Sequence, residues 1–172
     1  MKGYTSLRAV RIFGAQIHVH WSALVVMGGL LAASIEEPLA GATTICSYFG
    51  LILLHEAGHA WVARVLGARP LNIYLGFVHG LCEYQSTGSQ RAECAIAWGG
   101  VLAQLLVAIP LVVLGQTTSI MNSPALVPVV GFLGYFSLFI AGMNLIPAKG
   151  LDGGIAWRLL PMLYKGKSKS TN

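Results

Sequence analysis

His55 and His59 stand four residues apart in the run His55-Glu56-Ala57-Gly58-His59. On an α-helix that spacing puts both imidazoles on one face, about 6 Å apart along the axis. Both rings can then reach one zinc ion at roughly 2.0–2.1 Å. Glu56 falls three residues before His59, close enough to exchange protons with a water at the metal without being a ligand. This is the HExxH arrangement of zinc hydrolases.

The chain around this motif is 55% hydrophobic and only 10% charged. Soluble domains carry about 25% charged residues, so too few charges remain for a water-facing surface, and lipid is the expected solvent. Four stretches are long and apolar enough to cross a bilayer, which takes roughly 20 residues: residues 17–35, 39–63, 95–115 and 125–146. Glu36-Glu37-Pro38 reads as a turn into the second span, and no Ala-x-Ala-like site closes the first, so it is expected to be retained rather than cleaved as a signal peptide.

The basic residues set the orientation. Lys2, Arg8 and Arg11 precede the first span, and Arg64, Arg69 and Arg91 lie between the second and third. Lys149, Arg158, Lys165, Lys167 and Lys169 follow the fourth, which completes the eleven. All fall on one side, so both termini are expected in the cytosol. Topology and contact with anionic lipid account for the net charge of +5, and nucleic-acid binding is not needed. The expected location is the cell membrane of a prokaryote.

HExxH therefore lies inside the second span, five residues before Arg64, about 7.5 Å at helical rise and so within the inner leaflet. An acidic residue at mid-membrane costs about 2.5–3.5 kcal/mol on insertion scales, and such groups normally face a cavity and have a task. Zinc requires a third protein ligand and an open position. Glu36 and Glu37 are on the wrong side, while Glu83 and Glu93 fall in a connection where solvation is the ordinary state. Asp152, flanked by Gly150 and Gly153-Gly154, is the expected third ligand.

Two further elements must position these groups. Leu71, Ile73, Leu75 and Phe77 alternate with Asn72, Tyr74 and Gly76, a strand period; with Gly80 as a turn and Leu81–Tyr84 returning, a small β-hairpin is expected at the cytosolic face. Pro147 and Gly153-Gly154 interrupt the last apolar region, giving a broken helix over 125–163 with its break near 147–154. Such breaks survive at membrane depth only beside protein or a water-filled cavity. The expected fold is thus an all-α integral membrane domain of about four transmembrane helices plus that hairpin, one domain over 1–172, with a polar tail at 165–172. Cys46, Cys82 and Cys94 form neither a CxxC pair nor a disulfide framework.

The pairing of His55-Glu56-Ala57-Gly58-His59 with Asn144-Leu145-Ile146-Pro147-Ala148-Lys149-Gly150-Leu151-Asp152-Gly153 resembles the site-2 protease family of intramembrane zinc metalloproteases. The His18-Val19-His20-Trp21 run is also similar to the start of small family members. The resemblance implies zinc held by His55, His59 and Asp152, with Glu56 as the catalytic glutamate. It implies a transmembrane protein as substrate, cut near the cytosolic face, for regulated intramembrane proteolysis or clearance of signal-peptide remnants. Asn144 would lie near the site. The third span reads Gly99-Gly100-Val101-Leu102-Ala103-Gln104 where the family commonly has Gly-Pro and then Asn; Gln104 can offer the same amide. Asn144 and Gln104 are accordingly the candidate substrate-binding residues, and strand Leu71–Phe77 is expected to receive an unwound substrate by strand addition. At 172 residues this would be a minimal member without PDZ or CBS domains.

Two rival classes use the same residues. A small metal-ion transporter or channel would need polar groups on both membrane faces, yet the outer connections offer only Glu36, Glu37 and some Ser, Thr and Asn. A catalytically silent zinc-bound scaffold would need four protein ligands and no Glu56. His18 and His20 read as interfacial residues beside Trp21, His79 as a turn residue, and Lys149 as a snorkelling side chain.

Overall fold

The computed structural model describes residues 3–77 and 79–162; the tail from Lys165 to Asn172 and the last residue of the expected 125–163 segment, Leu163, lie outside them. The chain is mostly helical, with three helices long and apolar enough to cross a membrane: α2 (Pro38–Val65), α3 (Gln90–Thr117) and α4 (Val127–Asn144). Before them come strands β1 (Tyr4–Ile12) and β2 (Ala15–His20) and a short helix α1 (Trp21–Ala33); β3 (Arg69–Leu75) and β4 (Gly80–Gln85) join α2 to α3. After α4 the chain leaves helical winding until the one-turn α5 (Gly153–Ala156).

Two expectations need correction. Instead of a hairpin alone, the described residues form a four-stranded mixed sheet in the order β1-β2-β3-β4. The first expected span, 17–35, divides into the end of β2 and the 13 residues of α1, roughly 20 Å of helix against a hydrocarbon core of about 30 Å. The cause is visible in the residues. Ile17 and Val19 face the core while His18 and His20 face away, a strand period that runs without a break into the apolar stretch after Trp21. Phe13 (φ 52°) and Gly14 (φ 99°) make the two-residue turn joining β1 to β2, the left-handed pair that matches strand twist in tight hairpins.

β2 pairs with β3 in parallel, because the α1–α2 excursion returns the chain to its starting end, as a parallel connection requires. The basic segments before α1 and after α2 therefore share one end of the molecule. One sheet face, through Ile17, Ile73 and Leu75, packs on Leu51, Ile52 and Ala60 of α2. The outer face carries a polar chain across all four strands. Ser6 Oγ bonds His18 Nδ1 at 2.9 Å, His18 Nε2 bonds Asn72 Oδ1 at 3.0 Å, and Asn72 donates to Glu83 at 2.7 Å.

Helices α2 and α3 approach almost backbone to backbone. A Cβ on Gly99 would come within 2.7 Å of the Gly58 carbonyl oxygen, and one on Gly58 within 2.7 Å of Ala103 Cβ. Small residues at a crossing allow this contact in lipid, where no hydrophobic drive separates protein from solvent. Pro38 starts α2 at a position where a missing N–H costs nothing. Ser89 caps α3 by accepting from the Ala92 N–H, and Glu93 in its first turn accepts from Tyr84 and Ser86, tying β4 to the helix.

Candidate metal centre

His55 and His59 project from the same face of α2, and both are buried. Each ring is held from α3. His59 Nδ1 lies 2.7 Å from the Ile96 carbonyl oxygen, and His55 Nδ1 lies 3.0 Å from Gln104 Oε1. A carbonyl oxygen can only accept, so each Nδ1 carries the proton and each Nε2 presents a lone pair. Those Nε2 atoms are 3.1 Å apart, a separation at which two bare nitrogens cannot hydrogen-bond.

Asp152 completes the triangle. Its Oδ2 is 3.1 Å from His55 Nε2 and 3.3 Å from His59 Nε2, and it is buried with no hydrogen-bond donor. Two ligands about 2.05 Å from a tetrahedral ion are separated by roughly 3.3 Å. All three edges match that spacing. Protonating one ring would satisfy Asp152 and leave the second imidazole facing a positive charge; one cation satisfies all three donors together. Among the described residues these three are the group of His, Cys, Asp and Glu able to share one ion, and the two-nitrogen, one-carboxylate set suits zinc with a position left open.

Glycine makes the arrangement possible. Ile96, Gly100 and Gln104 repeat at intervals of four on α3 and face His59 and His55, which repeat at four on α2. A Cβ on Gly100 would sit 2.5 Å from His59 Nε2 and 2.8 Å from His55 Nδ1. Asp152 arrives by a comparable device. Gly150 takes a positive φ of 92°, and the missing side chain of Gly153 lets the turn close on the Leu145 and Ile146 carbonyls. Two indoles then hold the segment: Trp98 donates to the Ala156 carbonyl at 3.2 Å and Trp157 to that of Leu145 at 2.6 Å.

Glu56 is buried beside the histidines. It lies under the first residue of β4, since a Cβ on Gly80 would fall 2.5 Å from Glu56 Oε1. The metal triangle and Glu56 line a cavity of about 620 Å³, with an apolar wall that includes Phe136, Phe139 and Ile155. Asn144 lines it half-buried at the end of α4, whereas Gln104 is fully buried, one amide atom on His55 and the other, Nε2, without a partner. His79 borders the cavity as well, from the β3–β4 connection, where its carbonyl accepts from the Gly76 N–H. His18 and His20 stay on the sheet, the latter capping α1 through the Ser22 N–H. Cys82 lines the cavity from β4; burial, with the Glu56 carboxylate adding to it, pushes its thiol up to about 12. Tyr84 is likewise raised, by burial and then by Glu93. The sequence marks Gly80 only as a turn and Gly100 only as part of the third-span run, and it gives the Ile96 carbonyl and Trp98 no place at the site, although the interval of four along 96, 100 and 104 repeats that of the HExxH motif.

No family model matches the chain. It is 28% identical over 167 residues to the zinc metalloprotease MJ0392 of Methanocaldococcus jannaschii, an alignment covering 96% of this chain and 48% of that one. It is also 28% identical to the Synechocystis sp. protein sll0528, over 94% of this chain and 47% of the relative. Among solved structures it is similar to the site-2 protease from Methanocaldococcus jannaschii, with a TM-score of 0.69, 26% identity and coverage of 91% of this chain and 71% of that one. The chain spans about half the length of the curated relatives it matches.

Proposed function

We propose, on the footing that the chain belongs to the site-2 protease family of zinc metalloproteases, that it hydrolyses peptide bonds within the transmembrane segments of other membrane proteins, near the cytosolic face. The observation that carries this is the convergence of three bare donor atoms of His55, His59 and Asp152 beside buried Glu56, on a helix long and apolar enough to span a bilayer. We take residues 1–172 as one membrane-embedded domain in contact with lipid, both termini cytosolic, in a prokaryotic cell membrane.

Zinc bound by His55, His59 and Asp152 would supply a Lewis acid that polarises a carbonyl and makes water more acidic. Glu56 takes a proton from the water whose oxygen attacks the scissile carbonyl carbon. As the C–N bond breaks, the same carboxyl returns the proton to the leaving amine nitrogen. The apolar cavity wall accepts substrate side chains and keeps bulk water from the reacting atoms.

A substrate helix conceals its carbonyls in its own hydrogen bonds and must unwind locally first. The expected receiving strand, Leu71–Phe77, is displaced from that role, because β3 lies between β2 and β4 with both edges paired. Of the two edge strands, β1 and β4, it is β4 whose Gly80, Leu81, Cys82 and Tyr84 border the cavity, which supports β4 as the site of strand addition. Asn144 and the unpartnered Nε2 of Gln104 are the amides available to freed backbone groups.

The test is Glu56→Gln in proteoliposomes containing a single-span substrate. Zinc content should match the unaltered protein while cleavage stops; cleavage at an undiminished rate would remove Glu56 from the mechanism.

A further inference from the structure

We propose that Gln104 is a positioning residue for the metal: its side-chain oxygen fixes the tautomer and ring angle of His55 and so sets the affinity of the centre. The inference rests on the reading of His55, His59 and Asp152 as ligands and goes beyond it, because it gives Gln104 a role other than holding substrate.

The amide could face His55 in two ways. With its NH₂ toward His55 Nδ1, that nitrogen would have to be bare and Nε2 protonated, aimed at His59 Nε2 and Asp152 Oδ2, 3.1 Å away on either side. That state cannot bind a cation through Nε2. With Oε1 toward Nδ1, as the structure has it, the 3.0 Å bond keeps the proton on Nδ1 and leaves the Nε2 lone pair free. The second orientation leaves Gln104 Nε2 fully buried and without a partner, an unmade hydrogen bond that costs about 1–3 kcal/mol, and turning the amide would only put Oε1 in the same place. What separates the two orientations is the tautomer of His55, and only the second leaves its Nε2 able to bind a cation.

The two histidines differ in a way that makes Gln104 the adjustable element. His59 is oriented by a main-chain carbonyl, that of Ile96, which no substitution removes. His55 is oriented by a side chain alone. Groups that orient a ligating histidine typically change metal affinity by 10–100-fold when lost.

The experiment uses the purified full chain in detergent, with zinc alone as the probe and a chelator in competition. Gln104→Met keeps the length of the side chain and removes the acceptor; it also removes the unpaired donor, so the apo protein should fold at least as well. Zinc affinity should fall 10–100-fold. Gln104→Glu restores an oxygen in the same place and should return affinity to the unaltered value or above. The visible spectrum of the cobalt-loaded protein should change in Gln104→Met and recover in Gln104→Glu. Unaltered affinity in Gln104→Met, or a Glu variant as weak as the Met variant, overturns the proposal while leaving the metal centre standing. His55→Ala is the control that separates the two: if it binds zinc as the unaltered protein does, the ligand assignment itself fails and the proposal fails with it.

Discussion

Replacing Gly100 by alanine adds one methyl group where α3 passes the two imidazoles. The ideal Cβ would lie 2.5 Å from His59 Nε2, 2.7 Å from His55 Cε1 and 2.8 Å from His55 Nδ1. Ordinary van der Waals contact begins near 3.4 Å, so the rings or the helix must yield by roughly 0.9 Å. The helix cannot retreat cheaply, because Gly58 and Gly99 hold the two backbones together one residue away. Overpacking of this kind costs about 1–3 kcal/mol in stability. The metal is less forgiving than the fold, since workable ligand distances vary by about 0.2 Å. We expect Gly100→Ala to remain folded by circular dichroism and to lose at least about 100-fold in zinc affinity, equivalent to about 2.8 kcal/mol. Chelator competition in detergent measures this directly. A folded Gly100→Ala protein with unaltered zinc affinity would refute the geometry on which the site is built.

Asp152→Ala should abolish stoichiometric zinc binding while leaving helix content in place, as measured by metal analysis after gel filtration. Gly80→Ala puts a methyl group against the Glu56 carboxyl; zinc should be retained and cleavage fall at least tenfold. The Cys82 thiol, raised to about 12 by burial, holds its proton at pH 8, where its thiolate fraction is on the order of 10⁻⁴. Alkylation of Cys82 should therefore be slow at pH 8 and accelerate as pH rises toward 12, whereas in denatured protein it should already be fast at pH 9. A photo-crosslinker at Leu81 on β4 should capture a bound substrate near its cleavage site, and one at Leu71 on β3 should not.

The chemistry was more legible than the scaffold. His55, Glu56, His59 and Asp152 stood out because ionisable groups are scarce in an apolar chain, and the spacing of four is a direct consequence of helical pitch. The β3–β4 pair was legible for the same kind of reason, through alternation of period two. The N-terminal strands were not, because hydropathy averages Ile17 and Val19 into the apolar run of α1, and nothing local announces a partner 56 residues away in β3. The pairing of β2 with β3 is a long-range contact made after α1 and α2 have folded back, and it also buries both edges of β3. The small residues Gly58, Gly80, Gly99 and Gly100 matter for what they lack, and a missing Cβ has meaning only once the neighbouring element is in place. Gln104 read as a substrate amide from the family resemblance, as a stand-in for the usual Asn; its bond to His55 depends on the antiparallel register of α2 and α3.

X-ray absorption at the zinc edge of the loaded protein addresses the central arrangement most directly. Two imidazoles and one carboxylate predict a first shell of nitrogen and oxygen only, at about 2.0–2.1 Å, with the outer scattering of two histidine rings. A sulfur shell near 2.3 Å, which would bring in Cys82, or the signature of a single ring, would contradict it.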